Sequence, residues 1–187
     1  MRTINPEQFR DLVQQARVKP RLRRELRFGA STTDISPEIW SDLELISVSD
    51  RSGNEGVLLI EPDDNLYILP YELSIGLTDQ ATGRSKPIIC DLCTTWQAGG
   101  NAATITFHNP KTTNNITFLC CADLKCSLHV RSQTRESLLS RSQLREDLTN
   151  EQRADRLRRT LIRLIEAVGL KPVGAMTPLG AINRRGR

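Results

Sequence analysis

The first hydrophobic residues of the chain are spaced as on one face of a short helix. Asn5 precedes Pro6 and Glu7, which is typical of a helix start, because proline is tolerated at the first helical position and an acid lies near the positive end of the dipole. The apolar residues that then fall on one face are Phe9, Leu12, Val13 and Ala16. We therefore predict an N-terminal helix that packs this face against the rest of the protein.

Residues 17–27 follow this helix and carry six basic residues against one acid, interrupted by Pro20. Two interpretations of this stretch stay open. It is either the solvated face of two short helices or a patch that binds an anionic partner.

Between residues 43 and 77 the apolar residues occur in short runs instead, which is typical of β-strands. The runs are residues 43–48, 56–60 and 66–69, with polar turns at residues 50–54 and 63–65. Pro62 and Pro70 should mark strand ends, because proline cannot donate a hydrogen bond to the interior of a sheet. We expect a small antiparallel meander.

A second hairpin and a long helix are predicted further along the chain. Residues 103–107 and 116–119 form the hairpin. Thr149 and Gln152 form a capping box at the start of the helix, and Gly169 ends it. The apolar stripe of this helix consists of Ala154, Leu157, Leu161, Leu164, Ile165 and Val168. We expect the helix to dock on the domain by that stripe.

Four of the five cysteines lie in two short-range pairs, one on each side of the predicted hairpin. Cys90 and Cys93 have two residues between them, and Cys121 and Cys126 have four. Two such pairs supply the four ligands of a tetrahedral zinc ion with little cost in loop entropy. Thiolate at all four positions leaves no site for water, so we predict a structural metal rather than a catalytic one.

Two other roles of the cysteines are less favoured. Cys90 and Cys93 alone have the spacing of a thioredoxin-like redox pair, but that motif is followed by a helix, and residues 94–100 have no helical pattern. A disulfide framework is disfavoured because the cysteine count is odd, no secretory leader is evident, and the chain is long enough to form a core without cross-links.

Cys120 and Cys121 are adjacent, so the alternation of a strand sends their side chains to opposite faces. We assign Cys121 to the metal, because it completes the shorter loop with Cys126, and expect Cys120 to be a small buried apolar residue. His108 and His129 are the substitutes if one cysteine is not a ligand.

The order of these elements, a cysteine loop, a hairpin and then a helix, is that of a treble clef. Cys126 should then lie in the first turn of a helix, where backbone N–H groups stabilise a thiolate. The predicted fold class is α+β, with a small antiparallel β meander, a treble-clef zinc finger, an N-terminal helical segment and a C-terminal amphipathic helix. The predicted divisions are residues 1–39 (basic helical segment), 40–85 (meander packed on the finger), 86–168 (finger with its last helix) and 169–187 (flexible basic tail).

The composition of the 187 residues disfavours several classes of protein. With 38% hydrophobic residues the chain suits one compact domain or one domain with appended helices, and its apolar runs are far shorter than the ~20 residues of a membrane span. No paired carboxylates, nucleophile triad or phosphate loop is evident, so we expect neither an enzyme nor a small-molecule substrate. Cysteines without an export signal favour a reducing cytoplasm.

The net charge is +4, and of the 26 basic residues five are lysines and the rest arginines. Arginine suits bidentate contacts with carboxylates and phosphates. Aromatic residues make up only 4% of the chain, so stacking on single-stranded bases is poorly supported.

The residues from Cys121 to Leu128 read Cys-Ala-Asp-Leu-Lys-Cys-Ser-Leu, and the first cysteine pair reads Cys-Asp-Leu-Cys. Together with the arginine-rich helix that follows Thr149, these motifs resemble the elongation-factor-G-binding treble-clef zinc-finger family, which includes the FusB-type fusidic-acid-resistance proteins and their actinobacterial relatives. The resemblance covers about residues 40–168 and independently favours Cys121 as a ligand.

The resemblance implies a non-enzymatic protein with a structural Zn2+ that binds elongation factor G through the finger. It also implies an effect on how long the factor stays on the ribosome, as in the release of a ribosome stalled by fusidic acid. The contact residues expected on the exposed face of the finger and on the basic face of the last helix are Lys125, His129, Arg131, Arg156, Arg159 and Arg163. The alternative is a ribosome- or nucleic-acid-binding zinc finger that uses the same arginines on phosphates.

Overall fold

The computed structural model describes residues 1–174 except 17, 34, 80 and 109–114. Its helices are α1 (Pro6–Gln15), α2 (Pro20–Glu25), α3 (Phe28–Thr32), α4 (Pro37–Trp40), α5 (Cys126–Val130), α6 (Arg135–Leu144) and α7 (Asn150–Val168). Its strands are β1 (Leu45–Ser49), β2 (Glu55–Ile60), β3 (Tyr67–Ile75), β4 (Ile88–Ile89), β5 (Trp96–Gln97), β6 (Ala102–His108) and β7 (Asn115–Cys121).

Five of the strands form one antiparallel sheet in the order β1-β2-β3-β6-β7, and β4 pairs with β5 in a separate two-stranded hairpin. β1, β2 and β3 are the predicted meander, and β6 and β7 are the predicted hairpin. β3 joins the two parts, because its first residues pair with β2 and its last residues, from Glu72 to Ile75, pair with β6. The α+β fold class predicted from the sequence is confirmed.

β3 runs through Pro70, so the expectation that this proline ends a strand is wrong. β6 pairs only with residues 72–75 of β3, which leaves β2 as the one strand beside Pro70 in the described chain. The Leu73 N–H donates to the Asn54 carbonyl at the start of β2, and alternate residues of a strand point their N–H groups to opposite sides. The nitrogen of Pro70 therefore faces away from β2, and its missing N–H costs no bond in the sheet. Pro62 lies beyond the end of β2, as predicted.

The sheet separates two hydrophobic cores. Leu58 and Ile60 of β2 belong to the core formed with α7 and the cysteine-bearing segments, whereas Val57 and Leu59 belong to the core under the N-terminal helices. Alternation along a strand that is covered on both faces explains this uninterrupted apolar run. The N-terminal helices contribute Phe9, Val13, Leu22, Phe28 and Trp40 to the second core.

Capping interactions fix the ends of the two helices that the sequence predicts most clearly. In α1 the Asn5 side chain accepts from the Gln8 N–H at 2.8 Å, and the Gln8 side chain accepts from the Asn5 N–H at 2.9 Å. Thr149 and Gln152 form the same reciprocal pair at the start of α7. α7 ends at Gly169, whose φ of 67° is a left-handed conformation that glycine adopts without steric cost.

The segment after α7 contacts the domain as far as the structure describes it. The Val173 N–H donates to the Leu66 carbonyl at 2.7 Å, and the Gly174 N–H donates to Gln15 Oε1 at 3.1 Å. The rest of the predicted tail, residues 175–187, lies outside the described residues, as do residues 109–114 of the predicted hairpin loop. None of the helices in the described ranges is long and apolar enough to cross a membrane.

Candidate metal centre

Four cysteine sulfurs meet in the first core. The Sγ atoms of Cys90, Cys93, Cys121 and Cys126 all lie within 4.8 Å of one another, and all four residues are fully buried. Three of the separations are 3.5 Å (Cys93 to Cys121), 4.0 Å (Cys90 to Cys126) and 4.0 Å (Cys121 to Cys126). A tetrahedron of thiolates at the usual Zn–S distance of about 2.3 Å has edges of about 3.8 Å. The sulfurs thus have the spacing that a zinc ion requires.

The first cysteine pair lies in the turn between β4 and β5. The Cys90 N–H donates to the Thr95 carbonyl at 2.9 Å, and the Thr94 N–H donates to the Cys90 carbonyl at 2.8 Å. Thr94 closes the turn with a φ of 56°. The Cys93 N–H approaches Cys90 Sγ at 3.5 Å, so the backbone of the turn offers a donor that favours the thiolate form.

A chain of polar side chains supports Cys93. The Asn101 side chain donates to Gln97 Oε1 at 2.7 Å, and Gln97 Nε2 donates to Thr95 Oγ1 at 2.8 Å. Thr95 Oγ1 lies 2.8 Å from Cys93 Sγ, and its hydroxyl donates to that sulfur when Cys93 is a thiolate, which has no proton to give. Thr95 and Gln97 are fully buried, and sequence reasoning missed both. Their one signal in the sequence is that they directly follow a cysteine pair.

The second cysteine pair joins the end of β7 to the start of α5. Cys121 is the last residue of β7 and Cys126 is the first residue of α5, so the expected position of Cys126 in the first turn of a helix is confirmed. Leu124 closes the loop between them with a φ of 51°, and its N–H donates to the Cys121 carbonyl at 3.1 Å.

Hydrogen bonds from the neighbouring thiols, that of Cys121 first, hold the pKa of Cys90 well below its ordinary value.

Cys120 is not among the four clustered sulfurs, which agrees with the alternation that directs adjacent strand residues to opposite faces. It is fully buried in the first core and lies opposite Ala103 of β6. Burial raises the pKa of the Cys120 thiol far above its ordinary value, so this thiol stays protonated and acts as an apolar group. The structure brings Cys121, and not Cys120, into the cluster.

His129 is fully buried, so the expectation that it lies on an exposed contact face is wrong. Its Nε2 lies 3.1 Å from Asp123 Oδ1, and its Nδ1 lies 2.6 Å from Thr134 Oγ1. Both ring nitrogens therefore have partners inside the protein. His108 is outside the cysteine cluster, since it bonds Glu72 and Asn115, and neither histidine replaces a cysteine among the four sulfurs.

The other predicted contact residues differ in their availability. Arg131 is paired with Glu44 through both Nη atoms, each at 2.7 Å, and Arg156 is paired with Glu146 at 2.5 Å. Lys125, Arg159 and Arg163 are exposed, and none of their side-chain nitrogens has a carboxylate within 4.0 Å in the described part of the chain.

Arg153 of α7 is a fully buried cation that sequence reasoning missed. Its Nη2 donates to the His129 carbonyl and its Nη1 to Ser132 Oγ, each at 3.2 Å, and its Nε lies 3.2 Å from Glu146 Oε2. Arg153 therefore ties α7 to the end of α5, next to the cysteine cluster. The signal was present in the sequence, because Arg153 precedes Leu157 by one helical turn and so occupies the apolar stripe.

This geometry defines a class of protein, one whose fold is held by a closed four-cysteine zinc site in a treble clef. The chain belongs to the family described as FBP C-terminal treble-clef zinc-finger, whose model matches residues 23–168. Neither the curated proteins nor the solved structures give a significant match.

Zinc in a structural role is the metal that fits both the family and the donor set. Four sulfur ligands prefer zinc over the hard cations that oxygen ligands bind. All four cysteines are fully buried, as is typical of a structural site.

Proposed function

We propose that this chain is a cytoplasmic, non-enzymatic zinc protein that binds elongation factor G and changes how long the factor stays on the ribosome. The observation that carries the proposal is the coincidence of a family match over most of the chain with four buried sulfurs at zinc spacing. The binding of the factor comes from the resemblance of the cysteine motifs, and the surface charges described below support it.

In this proposal Cys90, Cys93, Cys121 and Cys126 are the zinc ligands. They come from two segments, the β4–β5 turn and the β7–α5 loop, and the strands that lead into these segments belong to different sheets. The ion therefore joins the two segments and fixes the position of α5. Because all four positions of the tetrahedron are sulfur, the zinc activates no water and its role is structural.

The proposed factor-contacting surface consists of Lys125, Arg159 and Arg163. Lys125 directly precedes α5, and Arg159 and Arg163 are four residues apart on α7, so their side chains lie on the same face of that helix. Since these cations have no partner carboxylate among the described residues, they can pair with an acidic protein surface without breaking an internal bond. Arg131, Arg156 and His129 are instead engaged inside the protein.

The alternative function, binding to ribosomal RNA or another nucleic acid, would use the same exposed arginines. The two functions differ in their response to salt. Contacts with phosphates release counterions, so affinity falls by orders of magnitude between about 50 and 200 mM salt when several phosphates are bound. A protein partner recognised through an apolar centre responds less steeply.

The test is a calorimetric titration of the zinc-loaded chain against elongation factor G from the same organism, at two salt concentrations and with ribosomal RNA as competitor. We expect saturable one-to-one binding that survives the competitor and weakens in the Arg159→Glu/Arg163→Glu variant. Arg10→Glu, an exposed change on α1, is the matched control and should bind like the wild type. Absence of binding to the factor, with salt-steep binding to RNA, would establish the alternative. Ribosome release in the presence of fusidic acid is the assay that follows a positive result.

A further inference from the structure

α6 buries two of its serines and exposes two of its leucines. Ser137 and Ser140 are 0% and 1% exposed, whereas Leu138 and Leu139 are 60% and 45% exposed. Neither leucine belongs to either hydrophobic core. A surface helix ordinarily buries its apolar face, so this arrangement is inverted.

The inward serines have a structural reason. Ser140 Oγ accepts the Trp96 N–H of β5 at 2.8 Å, and Ser137 forms a capping box with Thr134 at the start of α6. Small side chains on this face let α6 lie against β5, the strand that follows the first cysteine pair. The position of α6 therefore depends on the metal centre, but its outward face does not contribute to the fold.

The outward face combines apolar and basic groups. On a helical projection Arg135 lies between Leu138 and Leu139, and Arg145 follows at the end of the helix. Both arginines are exposed, and the described residues place no carboxylate within 4.0 Å of either. Arg141, in contrast, turns inward and donates to Ser132 Oγ and to the Leu148 carbonyl. We call Arg135, Leu138, Leu139 and Arg145 the α6 face.

We propose that the α6 face is a docking surface for an acidic protein surface with an apolar centre. The inference rests on the proposed function, because it names elongation factor G as the protein that supplies this surface. The leucines give the apolar centre that interface hot spots require, and the arginines frame it with positive charge. α6 packs against α5, which begins directly after Lys125 of the factor-contacting surface.

Charge argues against a second copy of the chain as the occupant. A symmetric dimer formed through this face would bring the same patch of both copies together. The two unpaired arginines of each copy would then meet arginines, and such like-charge contacts disfavour the interface.

The test uses the zinc-loaded full chain and elongation factor G. The Leu138→Gln/Leu139→Gln variant keeps good helix formers at both positions while removing the apolar groups. We expect its Kd to rise at least about tenfold, which corresponds to about 1.4 kcal/mol. Ile75→Thr is the matched control, because Ile75 is 56% exposed on β3 and outside the α6 face. Its Kd should equal that of the wild type.

A second variant tests the charges independently. Arg135→Glu should weaken binding, and Arg135→Lys should restore most of the affinity, while zinc content and melting temperature stay at wild-type values in all variants. Wild-type affinity in both the double leucine variant and Arg135→Glu would overturn the inference and leave the proposed function standing. No binding by the wild type would overturn both. Self-association of the wild type that the leucine changes abolish would show that the face is a dimer interface instead.

Discussion

Arg131 and Glu44 form a bidentate ion pair that joins the end of α5 to the residue before β1. Arg131 Nη1 and Nη2 contact Glu44 Oε2 and Oε1, each at 2.7 Å, and Nη1 also donates to the Ser127 carbonyl at 2.9 Å. The Glu44 side chain is 4% exposed and that of Arg131 is 19% exposed. The end of α5 is thus tied to the β1 edge of the sheet by a partly buried salt bridge.

Glu44→Gln should destabilise the protein, because it leaves the Arg131 guanidinium largely buried without its anionic partner. We expect a loss of about 2 kcal/mol in the free energy of unfolding, less than for a completely buried pair because Arg131 keeps some contact with water. Urea denaturation measures it. A double-mutant cycle with Arg131→Met isolates the pair, and strictly additive effects would contradict the interpretation.

Gly56→Ala should also be destabilising, for a steric reason. A Cβ at this position would lie 2.5 Å from the Tyr71 hydroxyl oxygen and 2.6 Å from the Val48 carbonyl oxygen. The carbonyl belongs to β1 and cannot move away without distorting the sheet. We expect a loss of about 2 kcal/mol, typical of an overpacked core, measured by thermal denaturation.

Displacing Tyr71 would also cost its 2.8 Å hydrogen bond with Ser47. The Gly53→Ser change in the adjacent turn is a useful comparison, since space is open there and only the φ of 76° is unfavourable. If Gly56→Ala proves no more destabilising than this turn variant, the explanation that a Cβ at residue 56 clashes with Tyr71 is wrong.

The ion pair between His108 and Glu72 should make stability depend on pH. His108 Nε2 lies 2.8 Å from Glu72 Oε1, and Lys19 Nζ lies 3.5 Å from the same oxygen. The hydrogen bond to Glu72, followed by that to Asn115, raises the pKa of His108 above its ordinary 6.5. The bond to His108 is also the main cause that lowers the pKa of Glu72 below its ordinary 4.5.

The direction of this pH dependence follows from the linkage between proton binding and folding. The stabilisation from His108 is fully present below pH 6.5 and is lost as the pH rises through its raised pKa. That from Glu72 is present above pH 4.5 and is lost as the pH falls through its lowered pKa. The difference in unfolding free energy between the wild type and His108→Gln should therefore be largest between these values and stay below about 1 kcal/mol, since both side chains are exposed. A His108 pKa at or below 6.5 in an NMR titration would contradict this account.

Removal of zinc should affect more than the finger. The four cysteines share the first core with Leu58 of β2 and Leu157 of α7, so loss of the ion exposes a core that also stabilises the sheet. After chelation we expect fast hydrogen exchange throughout residues 86–131 and partial loss of protection in α7. The second core, under α1 to α4, should keep more of its protection from hydrogen exchange. Equal loss of protection in both cores would show that they do not unfold separately.

The elements that the sequence predicts well are those whose signals are local. The helix starts at Asn5 and Thr149 depend on residues within one turn, and the apolar stripe of α7 repeats over its whole length. The two cysteine pairs were equally readable, because each loop is short and sulfur chemistry restricts what four such residues can do.

What the sequence did not reveal depends on distant partners. Pro70 is tolerated inside β3 because β3 pairs with β6 only from Glu72 onward, and His129 can be buried because Asp123 and Thr134 bond its ring nitrogens. α6 was not predicted from the sequence, because Leu138 and Leu139 face outward. The helix therefore lacks the regular spacing of buried apolar residues that marks an ordinary amphipathic helix.

The adjacent residues Cys120 and Cys121 allow the set of zinc ligands to be tested. Native mass spectrometry of the wild type, Cys121→Ser and Cys120→Ser gives the number of zinc ions per chain under conditions that keep the metal bound. The account predicts one zinc in the wild type and in Cys120→Ser, and none in Cys121→Ser. Zinc lost from Cys120→Ser and retained in Cys121→Ser would contradict it.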